Sequence, residues 1–417
     1  MSQTPEKPLA WAINTRAGAH DSTESLDAIL PAGAAEAARS FHRQIPNFHP
    51  SPLQALPRLA AMLGLGGVWV KDESERLDLS SFKVLGGSFA IYRFLQQRLG
   101  MNDRELTFDR LISPEIKDRL GSITFASATD GNHGRGIAWA SSKLGQDCVI
   151  YVHSKTSTAR IKAIRHHGAR VEVVDGTYDD AVRKIEADAR ENGWQVISDT
   201  SWDGYEDIPT WIMQGYTSMF SEAREELTAK DAKPLTHVFL QAGVGALAAS
   251  GVAFYHRMFT TQSPRCVIVE PSRAACLLES IRAGDGQPHS FPGELDTIMA
   301  GLACGDPSPL AWRLLWDRAD AFVAVPDYVA AKGMRVFGVP LKDDPPVISG
   351  ESGAVTLGAL MVVMEAPEGE ELRRALDLGP DSQVLLINSE GNTDPDYFRR
   401  VVWEGVNPVP KPYRYSG

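Results

Sequence analysis

The 417-residue chain is poor in cysteine: Cys148, Cys266, Cys276 and Cys304 are its only four, and none lies in a Cys-x-x-Cys or mixed Cys/His spacing. That pattern excludes a structural zinc module, and buried thiols are the plain reading, with Cys276 and Cys304 pairing only if the fold brings them together. Positive charge is also short, with 42 Lys and Arg against 53 Asp and Glu and a formal net charge of −11. Nucleic acid and anionic membrane surfaces are polyanions that such a chain repels, so neither is an expected partner. No apolar run reaches the ~18 residues that span a bilayer. The first ten residues are polar, with two prolines and no apolar centre of a signal peptide, so a cytoplasmic location is expected. There is no internal repeat, no low-complexity linker, and no Gly-Lys-Ser/Thr of a nucleotide-binding loop.

What the chain does have is 43% apolar residues, enough for a large core in two domains or one large α/β unit. From Gly66 onward, short β-branched runs alternate with helical patterns, the signature of parallel βα units. Nine runs are predicted as strands: 68–71, 122–126, 148–152, 171–174, 195–198, 237–241, 266–270, 322–325 and 384–387. Nine suit two open, mostly parallel sheets flanked by helices. Residues 86–207 hold four of them and are expected to form a smaller, mobile domain inserted in a larger one made of 1–85 and 208–417. Residues 1–60, broken by Pro46, Pro50, Pro52 and Pro57, read as an irregular wrap. With 28 residues after Ser389, no appended regulatory domain is expected.

Several polar motifs stand at strand ends, where open α/β sheets bind ligands. Ser80-Ser81-Phe82-Lys83 opens a helical pattern. A lone lysine there is ordinarily solvated, but apolar and Gly-rich neighbours allow desolvation, which would lower its pKa toward the neutral, imine-forming amine. Gln241-Ala242-Gly243-Val244-Gly245-Ala246 follows a strand and opens a helix of small residues. It is either a plain tight turn or a cradle in which backbone N–H groups and the helix dipole hold a phosphate dianion. An imine-forming lysine together with a phosphate cradle points to pyridoxal 5'-phosphate, which carries an aldehyde at one end and a phosphate at the other. Thr129-Asp130-Gly131-Asn132-His133-Gly134 suits a substrate carboxylate in its turn and the phenolic oxygen of the cofactor on Asn132. Asn388-Ser389-Glu390-Gly391 offers the Ser389 hydroxyl to a pyridine nitrogen. A neutral partner there limits the electron sink and favours elimination over transamination. Glu390 reads as a turn or capping carboxylate.

Taken together, these motifs resemble the fold-type II pyridoxal-phosphate enzymes, the tryptophan synthase β and threonine dehydratase group, from about residue 40 to the end. Serine and threonine dehydratases carry a small residue where this chain has Asp130. With that departure come Asp199-Thr200-Ser201-Trp202, Ile208-Pro209-Thr210-Trp211-Ile212-Met213-Gln214-Gly215-Tyr216, the block from Ile298 to Gly305, and Ile348-Ser349-Gly350-Glu351-Ser352-Gly353-Ala354. These blocks resemble the diaminopropionate ammonia-lyase family. The resemblance implies a homodimeric carbon–nitrogen lyase that takes a small amino acid, 2,3-diaminopropionate, to pyruvate and two ammonia, often from both isomers, with no metal. It implies Lys83, Asp130 and Asp199 as catalytic residues, Asp199 either holding the β-amine, orienting Asp130 or only capping the turn before Trp202, and Asn132, Gly243, Val244, Gly245, Ala246 and Ser389 as cofactor contacts. Thr129, Asp130, Gly131, His133 and Asp199 would meet the substrate, and Lys83 and Asp130 would serve as bases on opposite faces. The rivals are a serine or threonine dehydratase, a racemase or a β-replacement synthase of the same fold, and a binding protein without catalysis.

Overall fold

A computed structural model describes residues 6–18, 23–129, 131–154, 156–176, 178–259 and 262–414. All nine predicted strands are present, and two more appear in the segment expected to be irregular. In chain order they are β1 (Ala10–Ile13), β2 (Leu53–Ala55), β3 (Gly67–Asp72), β4 (Thr124–Ala128), β5 (Asp147–His153), β6 (Arg170–Val174), β7 (Gln195–Val196), β8 (His237–Gln241), β9 (Arg265–Pro271), β10 (Ala321–Val325) and β11 (Gln383–Asn388). They form a seven-stranded sheet, β1-β10-β9-β8-β11-β3-β2, and a four-stranded sheet, β6-β5-β4-β7. The smaller sheet is parallel throughout. The larger has a parallel centre and antiparallel pairing at its edges, where β1 joins β10 and β2 joins β3. These edge strands span four and three residues. Pieces that short carry no periodic signal and form by pairing with a finished sheet.

The central strands are buried on both faces, which is why they read as unbroken apolar runs. Val238, Leu240, Cys266, Ile268, Leu385 and Ile387 enter one core, and Phe239, Val267, Val269, Val384 and Leu386 enter another on the opposite face. The first core continues through Phe125, Ile150 and Val152 onto the smaller sheet. Among the described residues no helix is long and apolar enough to cross a membrane, and no disulfide forms, Cys276 and Cys304 included.

Two helices set the cleft between the sheets: Lys83–Leu99 and Asp207–Ala229. They approach closely because glycines face each other at the crossing. A Cβ on Gly215 would come within 2.8 Å of Gly86 Cα, and one on Gly86 would overlap the Tyr216 ring and reach 2.7 Å from Ile212 Cγ2. Gly86→Ala should therefore force the helices apart and destabilise the fold by about 1–3 kcal/mol, the usual penalty of overpacking. Urea denaturation measures this; a loss under roughly 0.5 kcal/mol, the scatter of a neutral surface change, would show that the crossing tolerates a side chain.

Candidate active site

Five chain segments converge at the carboxyl ends of strands, as open α/β topology dictates. Lys83 follows β3, Thr129 to His133 follow β4, Asp199 follows β7, Gly243 to Ala246 follow β8, and Ser389 follows β11. The approach to Lys83 is conformationally strained. Leu77, Asp78 and Ser80 take φ of 48°, 58° and 50°, a region that non-glycine residues enter only when their surroundings hold them there. The holding contacts lie alongside: Phe82 N–H donates to Ser389 O at 3.1 Å, Gly391 N–H donates to Ser80 O at 2.9 Å, and Ser81 bridges Glu390 in antiparallel fashion. These bonds tie the lysine segment directly to the Ser389 segment.

The Lys83 ammonium donates to Asp199 Oδ2, with the two side chains 20% and 13% exposed. Burial acts against the ammonium, yet the adjacent carboxylate outweighs it and holds Lys83 above the ordinary lysine range. The same ion pair, assisted by the field of His133, holds Asp199 well below the usual carboxylate range against its own burial. This corrects the expectation that desolvation makes Lys83 neutral: a carboxylate that arrives from the other sheet reverses the sign of the shift. Lys83 Nζ also lies 5.5 Å from the Phe82 ring centroid and 6.0 Å from that of Tyr216.

Gly243 to Ala246 has the geometry of an anion cradle. Gly245 stands at φ 100° before helix Ala246–Met258, whose start no side chain caps. A Cβ on Gly243 would meet Cys304 Sγ at 2.9 Å, so a side chain there would fill the turn. The helices beginning at Lys83 and Asn132 are not capped by the residue just before them, although Ser81 Oγ accepts from Lys83 N–H at 3.4 Å and Thr129 Oγ1 from Gly134 N–H at 3.2 Å. Among the described residues, Tyr216 Oη, Gln241 Oε1 and Ser352 Oγ are buried without a hydrogen-bond partner. These polar atoms and the open start of helix Ala246–Met258 fit a bound group rich in phosphate and ring heteroatoms.

Thr129 Oγ1 accepts from Gly131 and Gly134 N–H at 3.0 and 3.2 Å and so shapes the turn. Asp130 lies outside the described residues. His133 is buried, with Nε2 3.0 Å from Ile197 O, which ties its helix to the segment leading to Asp199. Asn132 Nδ2 donates to Glu390 Oε2 at 2.5 Å, while Glu390 Oε1 accepts from Ser352 N–H at 3.2 Å. Glu390 thus caps the helix Glu351–Glu365, as a capping carboxylate should, and also reaches across the cleft to Asn132. Sequence reasoning had no signal for that second contact, which joins residues 258 apart. It also passed over Tyr216 as a site residue, and the buried carboxyl of Glu351.

A profile of the family described as pyridoxal-phosphate dependent enzyme matches residues 45–390. The diaminopropionate ammonia-lyase of Salmonella typhimurium is 42% identical over 398 residues, covering 95% of this chain and 98% of that protein. The diaminopropionate ammonia-lyase of Escherichia coli is 45% identical over 376 residues, covering 90% and 92%. A crystal structure of the Escherichia coli enzyme in complex with an aminoacrylate-PLP azomethine reaction intermediate matches with a TM-score of 0.86 at 42% identity, over 96% of this chain and 98% of that one.

Burial, and after it the Glu390 carboxylate, pushes the Glu351 carboxyl from 4.5 up to about 8. The native state then keeps a proton that the unfolded chain releases, so the stability this proton lends is full below 4.5 and is lost as pH rises through about 8. Glu351→Gln mimics the protonated side chain. Its melting temperature relative to the parent should climb across that window and level off above it. Scanning calorimetry checks this, and an offset independent of pH would remove the assignment.

Proposed function

The chain belongs to the pyridoxal-phosphate-dependent enzymes and, within them, to the diaminopropionate ammonia-lyase family, and on that premise we propose that it converts 2,3-diaminopropionate and one water to pyruvate and two ammonia. One observation carries the choice of substrate: a carboxylate, Asp199, stands against the lysine in a site largely closed to solvent. The β-amine of this substrate is the cation such a carboxylate recognises, and a charge-assisted hydrogen bond in a dry cleft discriminates by roughly 2–5 kcal/mol. Serine offers no cation at that position.

Pyridoxal 5'-phosphate, when bound, supplies the electron sink for the pair left at Cα. Lys83 serves its aldehyde end, Gly243, Val244, Gly245 and Ala246 its phosphate, Asn132 the phenolic edge of its ring, and Ser389 the pyridine nitrogen. Thr129, Gly131 and His133 form the turn that receives the substrate carboxylate. Lys83 Nζ, once neutral, takes the Cα proton of the L isomer, and Asp130 takes that of the D isomer from the opposite face. Asp199 keeps the β-amine protonated until its bond to carbon breaks, so that it departs as neutral ammonia. Water then hydrolyses the released enamine to pyruvate and the second ammonia. Residues 86–207 act as the smaller, mobile domain against a larger one of 1–85 and 208–417, and the enzyme works as a homodimer in the cytoplasm.

Loaded protein mixed with D- or L-2,3-diaminopropionate should release pyruvate rapidly from at least one isomer and slowly from L-serine. Serine turnover equal to that of the diamines would move the assignment to a hydroxyamino-acid dehydratase. Lys83→Ala should lose the visible absorbance of the bound cofactor and about 10³-fold of L-diamine turnover, the scale of a lost general base. Asp130→Asn should slow the D isomer more than the L isomer; equal losses would sink the two-face arrangement.

A further inference from the structure

Tyr216 lies on the helix Asp207–Ala229 and is fully buried. Gly86 makes room for its ring, which packs against Phe82 at a centroid distance of 4.6 Å and an interplanar angle of 56°. Its hydroxyl meets no partner at hydrogen-bond geometry among the described residues. A phenylalanine would fill the same space without stranding a buried polar atom, so packing alone does not account for a tyrosine here. The Lys83 ammonium stands beside the hydroxyl, near enough for hydrogen-bond attraction but short of hydrogen-bond geometry, and the Asp199 carboxylate adds its field. Cys304 in turn acts on Lys83, and His133 on Asp199.

Asp199 faces a conflict under the function proposed above, on which this inference rests. It is committed to Lys83 in this structure, yet the substrate brings a second cation for the same carboxylate. One buried carboxylate cannot neutralise two cations in a dry site. Lys83 must therefore become a neutral amine when Asp199 turns to the substrate, and a neutral amine released from its partner needs another group to aim it. We propose that Tyr216 is a positioning residue whose hydroxyl accepts an N–H of the Lys83 amine when Asp199 turns to the substrate ammonium, leaving the amine lone pair directed at the Cα proton. Burial raises the phenol above its ordinary range, so Tyr216 stays a neutral partner and adds no competing charge.

The test is Tyr216→Phe, alone and combined with Asp199→Asn. In loaded protein the single variant should keep the visible cofactor band and a melting temperature equal to or above that of the parent, because an unpartnered hydroxyl has been removed. Its kcat on L-2,3-diaminopropionate should fall about tenfold, the scale of one hydrogen bond at a reacting group. KM should stay within about twofold, and the isotope effect with Cα-deuterated substrate should grow, since proton removal becomes the slower step. A second readout needs no cofactor: the pH dependence of Lys83 acylation in apo protein, followed by mass spectrometry. Tyr216→Phe should change it little alone and markedly in the Asp199→Asn background, where the amine has turned to the phenol.

Additive effects on acylation, or an unchanged kcat and isotope effect, would overturn the proposal. So would a melting temperature more than about 5 °C below the parent, which would make the hydroxyl structural. Failure of the underlying function looks different: the parent itself would lack the cofactor band or would not turn over the diamine.

Discussion

Lys83 and Asp199 come from different sheets and meet in a site where neither charge would be tolerated alone. Burial works against both, and their mutual attraction outweighs it. The pair therefore ties the loop after β7 of the smaller sheet to the helix after β3 of the larger, across the cleft where the remaining motifs face one another. A lysine held as an ammonium by its partner is not a nucleophile or a base until that proton leaves.

The segment that presents Lys83 is held from behind by a second set of buried charges. Arg76 binds Glu73 at 2.8 Å and Glu222 at 2.6 Å, and Glu222 also binds Lys71 at 2.9 Å and Arg39 at 2.7 Å. Removing Glu222 takes one buried carboxylate from three cations at once, a strongly destabilising change. This network links β3, the helix Asp207–Ala229 and the N-terminal helix Ala34–His42, and it immediately precedes the strained residues Leu77, Asp78 and Ser80. The proline-broken N-terminal segment is thus more than an outer wrap: Arg39, together with Ser51, whose hydroxyl donates to Glu73, helps to hold the approach to the site.

Close approach of the helices does comparable work on the other side of Lys83. Gly86 and Gly215 remove the side chains that would separate the helices Lys83–Leu99 and Asp207–Ala229, and a Cβ on Gly136 would come within 3.0 Å of Val84 Cα. Small residues at these two crossings place Tyr216 and the Asn132 helix near the lysine. The positions of polar atoms in the cleft are accordingly set by backbone contacts, which yield little to side-chain motion.

Strands β8 to β11 were legible because they are buried on both faces, and a doubly buried parallel strand must be a continuous apolar run bounded by turns; β6, largely exposed, was legible from its β-branched valines. The site segments were legible for a related reason: glycines and short polar residues at βα junctions are local requirements, and the topology of an open sheet sends those junctions to one edge. β1 and β2 were not legible, since three or four residues pair with an edge only after the sheet exists. Nor was the charge state of Lys83, the reach of Glu390 to Asn132, the proton held by Glu351, or the stranded hydroxyl of Tyr216. The amino-acid order by itself determined the strands, the helices and which motifs share an edge, because hydrophobic periodicity and turn chemistry act over a few residues. Tertiary structure alone decided which polar groups touch, and hence their charges, because attraction and desolvation depend on distances between residues far apart in the chain.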